Sequence, residues 1–166
     1  MPKDEFRIRI QRPVAEVFDF VARNVDRNNP RWEAEVLSFT DVTPRPIGKG
    51  TTAVMHRVDG GKRRDAHLLC TEFEPDRRAA WKHTDPGPFQ FAISFETVPV
   101  SARETELIAR TEITLSGAVR LMAPLVRRRQ ARVGARLIGK LKELLDSGAT
   151  TEPVAAVAGA APTNAH

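Results

Sequence analysis

The last long apolar and basic run of the chain, residues 118–147, places the strongest constraint on what the chain can fold into. Apolar side chains recur there every three or four residues, with one gap of two turns, and this spacing predicts a single apolar helix face. The predicted stripe consists of Leu121, Leu125, Val133, Leu137, Leu141 and Leu144, and Met122, Val126, Ile138 and Leu145 widen it. Nothing earlier in the chain could form a helix of this length. We therefore expect the earlier segments to supply a surface that this helix covers.

The earlier segments are typical of strands separated by turns. Pro13 suits the first turn of a helix, so a helix is predicted from there to about Arg23, with a short second helix ending near Trp32. Alternating or short apolar runs predict strands at 5–11, 33–42, 51–58, 64–74, 78–83, 89–96 and 104–116. The last six are joined by turn residues such as Asp59-Gly60-Gly61, which predicts an antiparallel sheet of consecutive hairpins. With the first strand added, the sheet must curve, and a long helix on its concave side leaves a pocket.

Length and composition indicate one globular unit. A chain of 166 residues with 41% hydrophobic residues can bury a core of its own. We predict a ligand-binding domain over 1–147 and a disordered tail over 148–166, where small residues and prolines supply little apolar bulk. The single cysteine, Cys70, excludes an internal disulfide, and the start MPKDEFRIRI lacks an apolar signal core. These features predict a cytoplasmic protein.

The net charge of +5 comes largely from the last helix and from the segment around residues 62–64. A solvated basic face is the simplest interpretation of such a cluster. The alternative is peripheral contact with an anionic membrane through Arg120, Arg127, Arg128 and Arg132. The chain has no phosphate-binding glycine loop, and no nucleic-acid partner is expected.

Several short stretches, taken in order, resemble one known superfamily. They are Pro13 followed by Val17-Phe18 and Phe20-Val21, then Trp32, Gly48-Lys49-Gly50-Thr51, Thr71-Glu72-Phe73-Glu74-Pro75 and Leu141-Lys142-Glu143-Leu144-Leu145. In their order and spacing they are similar to the START-like, Bet v 1-like (SRPBCC, helix-grip) proteins, and within these to the polyketide cyclase/dehydrase and lipid-transport group. The resemblance implies an α+β helix-grip fold, with a seven-stranded curved antiparallel sheet around a long C-terminal helix. It also implies a hydrophobic cavity for a small apolar or amphipathic molecule, such as a lipid, isoprenoid or polyketide.

The predicted ligand-binding residues lie on the strands and at the start of the last helix. They are Met55, Trp81, His83, Phe91, Ile93, Phe95, Leu107, Leu121 and Leu125. No cofactor is expected. The four histidines lack the spacing of a zinc site, so no metal is expected either. Whether the protein is a monomer or a homodimer stays open.

Catalysis is the alternative to simple binding, and the sequence does not decide between them. His83 shares the parity of Trp81 on one strand and could serve as an acid or base toward a polyketide-like substrate, as an aromatase/cyclase or dehydratase would require. His56 is a second candidate, on a strand joined by a hairpin to the strand of His67. The chain has no tyrosine, so no phenolic hydroxyl can polarise a substrate.

Overall fold

The described part of the chain folds into one sheet, two short helices near its N-terminus and one long helix near its C-terminus. The structure is a computed structural model that describes residues 3–152. The strands are β1 (Lys3–Ile10), β2 (Val36–Thr43), β3 (Thr52–Asp59), β4 (Lys62–Glu74), β5 (Arg78–His83), β6 (Phe89–Ser101) and β7 (Glu104–Leu115). The helices are α1 (Val14–Phe18), α2 (Val25–Trp32) and α3 (Ala123–Asp146). A π-helical turn (Asp19–Arg23) follows α1, and a 3-10 helix (Gly117–Met122) precedes α3.

The seven strands form one antiparallel sheet in the order β1-β7-β6-β5-β4-β3-β2. Strands β2 to β7 are consecutive hairpin partners, and β1 pairs with β7, so β1 and β2 are the two edges. Register shifts interrupt the pairings of β2 with β3, β4 with β5 and β6 with β7. Such bulges bend the strands that carry them. The predicted seven-stranded antiparallel sheet and long C-terminal helix are confirmed.

The C-terminal half of α3 holds the helix to the sheet. Ile138, Leu141 and Leu145 are buried there in one core with residues of α1 and of the strands. One turn earlier, Gly134 lies against Phe6 of β1, with no room for a side chain between them. The N-terminal half of α3 buries none of its residues fully. The C-terminal end of α3 is therefore packed on the core, and its N-terminal end is separated from the core.

The end of α3 is tied to the N-terminal elements by Arg12. This guanidinium donates to the backbone carbonyls of Leu145 and Ala149, at 3.2 and 2.6 Å. Just beyond the helix, Thr151 accepts a hydrogen bond from the buried Asn28 of α2 and donates to Asp19. These contacts place the residues that directly follow α3. The rest of the predicted tail, 153–166, lies outside the described residues.

No helix among residues 3–152 is both long enough and apolar enough to cross a bilayer.

Candidate functional site

The strand registers place most of the predicted binding residues on one face of the sheet. Trp81 of β5 lies opposite Ile93 of β6, and Phe91 lies opposite Ile113 of β7. Because paired residues in an antiparallel sheet share a face, these side chains point the same way, toward α3. The registers place four further predicted residues on the same face: Met55, His83, Phe95 and Leu107.

A cavity of about 510 Å³ lies between this face and the start of α3. Its apolar walls are Ile113 and Leu115 of β7 and Ala123 and Val126 of α3. Polar groups complete the lining: Asp4, Thr114, Arg120, Arg127 and Gln130. Its volume falls within the range of roughly 300–1,000 Å³ that is usual for small-molecule sites.

None of the nine predicted binding residues lines this cavity. Met55, Trp81, Phe95 and Leu107 are buried in the core instead. Phe91 lies beside the cavity wall Ile113, which is its register partner. The cavity therefore lies toward the β1–β7 edge, one strand away from the predicted centre.

Leu121 and Leu125, which were predicted to line the cavity, are not among the residues that border this one. Leu121 is 87% exposed and Leu125 is 65% exposed. The gap of two turns between Leu125 and Val133 explains the error, because eight residues advance an α-helix by about 80° beyond two full turns. The buried Leu141 and Leu145 lie on the other side of the helix from Leu125, and Val126 is turned from Leu125 by about 100° toward the sheet.

The cavity residues that the prediction omits do carry a sequence signal. Ile113 and Leu115 continue the alternation of Leu107 and Ala109 along β7, so their parity can be derived from the sequence. Val126 and Arg127 follow from Leu141 if the helical phase is counted back at 100° per residue. The positions of the cavity residues on α3 are therefore predicted correctly when they are counted from the buried C-terminal end of the helix, and not from its start.

His83 belongs to a hydrogen-bonded chain that runs from the cavity side of the sheet to its outer side. Its Nε2 lies 3.0 Å from the Asp85 carboxylate, and the same carboxylate accepts from the backbone N–H and the Nδ1 of His67, at 2.9 and 2.7 Å. The backbone N–H of His67, helped by both imidazoles, lowers the pKa of Asp85, which therefore stays ionised at neutral pH. The ring of His83 stacks on Phe91, with centroids 5.0 Å apart.

Two buried polar atoms on this face have no hydrogen-bond partner within the described part of the chain: Nε1 of Trp81 and Nδ1 of His83. A buried polar group left unpaired costs about 1–3 kcal/mol. Neighbouring side chains cover both atoms, so a ligand reaches them only if those side chains move aside. Phe91, which lies between His83 and the cavity wall Ile113, is placed to do so.

His56, the other predicted acid or base, lies on the opposite, outer face of the sheet. Its Nε2 contacts the hydroxyl of Thr40 at 2.8 Å, and its Nδ1 contacts Asp65 at 2.7 Å. Both ring nitrogens are thus occupied by protein groups. His67 also lies on the outer face and is mostly exposed.

Cys70 faces the core, and burial raises the pKa of its thiol to about 11. A thiol with that pKa is almost wholly protonated at neutral pH and is a poor nucleophile. Within residues 3–152, no group of three or more His, Cys, Asp or Glu side chains could hold a metal ion.

Comparison with solved structures shows the fold of the chain. No protein-family model matches it, and no curated protein matches it significantly. A START superfamily protein from Mycobacterium smegmatis superposes with a TM-score of 0.72 at 11% identity, over 87% of this chain and 97% of that one. The Zhui aromatase/cyclase of a Streptomyces species gives 0.64 at 15% identity, over 90% and 99%.

A third match is to one part of a larger protein. The di-domain ARO/CYC BexL of the BE-7585A biosynthetic pathway gives a TM-score of 0.69 at 18% identity, over 86% of this chain but 46% of that one. The chain thus spans just under half of that protein. Together these matches show that the chain has the helix-grip fold of START/Bet v 1-like proteins.

Proposed function

We propose that the protein binds a small molecule with an apolar body and an acidic group in the cavity between β7 and the start of α3. The observation that carries the proposal is the cavity itself, which has about 510 Å³ of space and a largely apolar lining. Lipids, isoprenoids and polyketide-like molecules all fit this description. Solved structures with the same fold include proteins named as aromatase/cyclases.

The polar part of the lining favours an acidic group on the ligand. Arg120 and Arg127 have no acidic partner among the described residues, and both border the cavity. Asp4 also borders it, so the lining carries a net charge of +1 from these three groups. An arginine paired with a carboxylate forms a charge-assisted hydrogen bond, which is stronger than a bond between neutral groups.

Competition between two ligands of equal length tests this proposal. Dodecanoic acid should displace 1-anilinonaphthalene-8-sulfonate from the protein about tenfold more effectively than dodecanol does, because only the acid can pair with an arginine. The double variant Arg120→Gln/Arg127→Gln should lose this preference while still binding dodecanol. The measurement is probe fluorescence during titration with each competitor.

A filled cavity supplies the control. Val126→Trp should weaken displacement by both competitors at least about fivefold, since the indole would take up part of the cavity and narrow the rest. Ala131→Trp places the same ring on the exposed side of the same helix and should leave displacement unchanged. Equal displacement in both variants would place the ligand elsewhere and overturn the proposal.

Catalysis by His83 is a second candidate, favoured by its pairing with Asp85. The N–H of Nε2 donates a hydrogen bond to the ionised Asp85, which leaves Nδ1 with a lone pair on the cavity side of the sheet. In a dehydration, Nδ1 takes the proton from the carbon next to a thioester carbonyl, and that electron pair forms the new C=C bond. The C–O bond to the β-hydroxyl breaks as this C=C bond forms, and the hydroxyl takes the proton from Nδ1 and leaves as water.

A synthetic 3-hydroxyacyl thioester is the probe for this second function, with the absorbance of the conjugated product as the measurement. His83→Phe keeps the ring stacked on Phe91 but removes the base, so kcat should fall about 100-fold or more. His56→Ala is the matched control and should not change kcat, because His56 lies on the outer face. Unchanged turnover in His83→Phe would exclude this role, and no turnover by the unmodified protein would exclude the reaction.

A further inference from the structure

The start of the last helix exposes three large apolar side chains in a segment of uniform positive charge. Leu121, Leu125 and Met122 are 87%, 65% and 51% exposed. The segment 117–136 contains six arginines and no acidic residue. Exposed apolar side chains within a strongly charged surface need a physical explanation, since each one in water forfeits its burial free energy.

The helical geometry places Leu125 and four of the arginines on one side of α3, directly after the exposed Leu121. Counted at 100° per residue from Leu125, all four arginines lie within about 60° of it. They are Arg128, Arg129, Arg132 and Arg136. Apolar groups thus stand at the start of this exposed face and basic groups continue it for the next three turns. We call Leu121, Met122, Leu125 and these four arginines the helix-start patch.

The charges of the helix-start patch are almost entirely uncompensated. Among the described residues, Arg129 is the one member with an acidic partner, Glu35 at 3.6 Å. The patch also adjoins the cavity, because Ala123, Val126 and Arg127 of the same helix line it.

We infer that the helix-start patch docks the protein on the surface of an anionic lipid bilayer, with Leu121, Met122 and Leu125 entering the interface. An amphipathic helix with basic residues beside leucines binds such surfaces by combining apolar burial with attraction to anionic headgroups. A second copy of this chain is disfavoured as the occupant, because two such patches would bring like charges together. A nucleic acid would satisfy the arginines but would leave the three apolar side chains without a partner. The bilayer satisfies both.

Docking in this orientation would bring the cavity next to the bilayer, from which a hydrophobic ligand could enter without crossing water. The inference does not depend on the proposed ligand, since the groups that carry it point away from the cavity.

Vesicle sedimentation tests the inference. The protein should sediment with vesicles of phosphatidylcholine and phosphatidylglycerol mixed two to one, and at least tenfold less with phosphatidylcholine alone. Binding should weaken steeply from about 0.05 to 0.5 M salt, because the screening length falls over that range.

Two variants of the helix-start patch test its charged and apolar parts separately. Arg128→Gln/Arg132→Gln/Arg136→Gln should reduce the partition of the protein onto vesicles on the order of 100-fold, at about fivefold for each charge. Leu121→Ser/Met122→Ser/Leu125→Ser should reduce it at least tenfold.

Matched variants elsewhere on the surface are the controls. Lys62→Gln/Arg63→Gln/Arg64→Gln removes the same net charge from the exposed β3–β4 hairpin. The variant Leu37→Ser/Val98→Ser/Val100→Ser removes three exposed apolar side chains from strands. Neither should change partition more than about twofold. Equal losses in the controls and in the patch variants, or no binding to anionic vesicles, would overturn the inference.

Two further readouts separate this inference from its alternatives. Displacement by dodecanoic acid should be unchanged in the arginine variant, which distinguishes failure of membrane docking from failure of ligand binding. A dimer in solution that the leucine variant converts to a monomer would instead assign the patch to a second copy and overturn the membrane assignment.

Discussion

Replacement of Arg12 by methionine is expected to lower the free energy of unfolding by about 3 kcal/mol. The guanidinium is largely buried and donates to the carbonyls of Leu145 and Ala149 at the end of α3, while its Nε lies 2.6 Å from Glu16. The last carbonyls of a helix have no partner within the helix. Methionine keeps much of the apolar stem but cannot donate, so two carbonyls and a carboxylate lose a charged partner together.

Arg9 of the neighbouring strand is the matched control for Arg12. Its side chain is 65% exposed, and its nearest acidic group, on Glu104, is 3.6 Å away. Exposed pairs of this kind contribute about 0–1 kcal/mol, so Arg9→Met should change the free energy of unfolding by less than about 1 kcal/mol. Urea unfolding followed by circular dichroism measures both variants. Equal effects would show that Arg12 does not hold the helix end.

The fold can be predicted because the signals that define it are local. Alternating residues such as those of β6, and turn residues such as Asp59-Gly60-Gly61, determine strands and hairpins over a few positions. Six strands in consecutive hairpins leave few alternatives to one antiparallel sheet. The pairing of β1 with β7 joins segments about a hundred residues apart, and the sequence predicted only that the first strand joins the sheet, not its partner.

Only part of the cavity lining can be predicted from the sequence. Which face of a strand a residue lies on follows from counting by two, whereas an error in the predicted phase of a helix grows with each residue. Parity on β5 and β6 depends on counting by two, so the sequence places Trp81, His83 and Phe91 on the same face, as the registers show. Helix phase drifts with distance, and the 3-10 helix before α3 changes the rotation per residue. The drift over the two-turn gap turns Leu125 away from the cavity, and the 3-10 helix changes the phase of Leu121 further.

Side-chain contacts between segments that are distant in the sequence cannot be predicted from the sequence alone. Asp85 lies in a turn, and nothing in its neighbours shows that its carboxylate joins His67 of β4 to His83 of β5. The register of two strands and the shape of the turn between β5 and β6 bring these groups together. Arg12 likewise resembles any other strand-end arginine until α3 is docked beside it.

Gly134→Leu is expected to lower the free energy of unfolding by about 2–3 kcal/mol. A Cβ at position 134 would lie 2.6 Å from two ring atoms of Phe6, closer than carbon atoms approach without repulsion. Either the Phe6 ring must leave its place on β1 or α3 must move off the sheet. Leucine favours a helix over glycine by up to about 1 kcal/mol, and this gain is already included in the estimate.

Gly139 shows what the same change does where there is space. It lies in the same helix, on the exposed side, and a Cβ added there would meet no atom within 4 Å. Gly139→Leu should therefore raise the free energy of unfolding by up to about 1 kcal/mol. Denaturant unfolding of both single variants gives the comparison, and a stabilised Gly134→Leu would show that α3 and β1 are not in close contact.

The double variant Phe6→Ala/Gly134→Leu separates the clash from every other effect of the new side chain. Removing the ring makes room for the leucine, so the double variant should be more stable than the sum of the two single changes predicts, by at least about 1 kcal/mol. Additive effects would mean that the leucine disturbs the helix itself and not its contact with β1.

The close contact at Gly134 also affects ligand binding, because α3 separates from the sheet just before this position and the cavity lies in the space between them. A variant that lifts the helix here should change the affinity for dodecanoic acid even though residue 134 does not line the cavity.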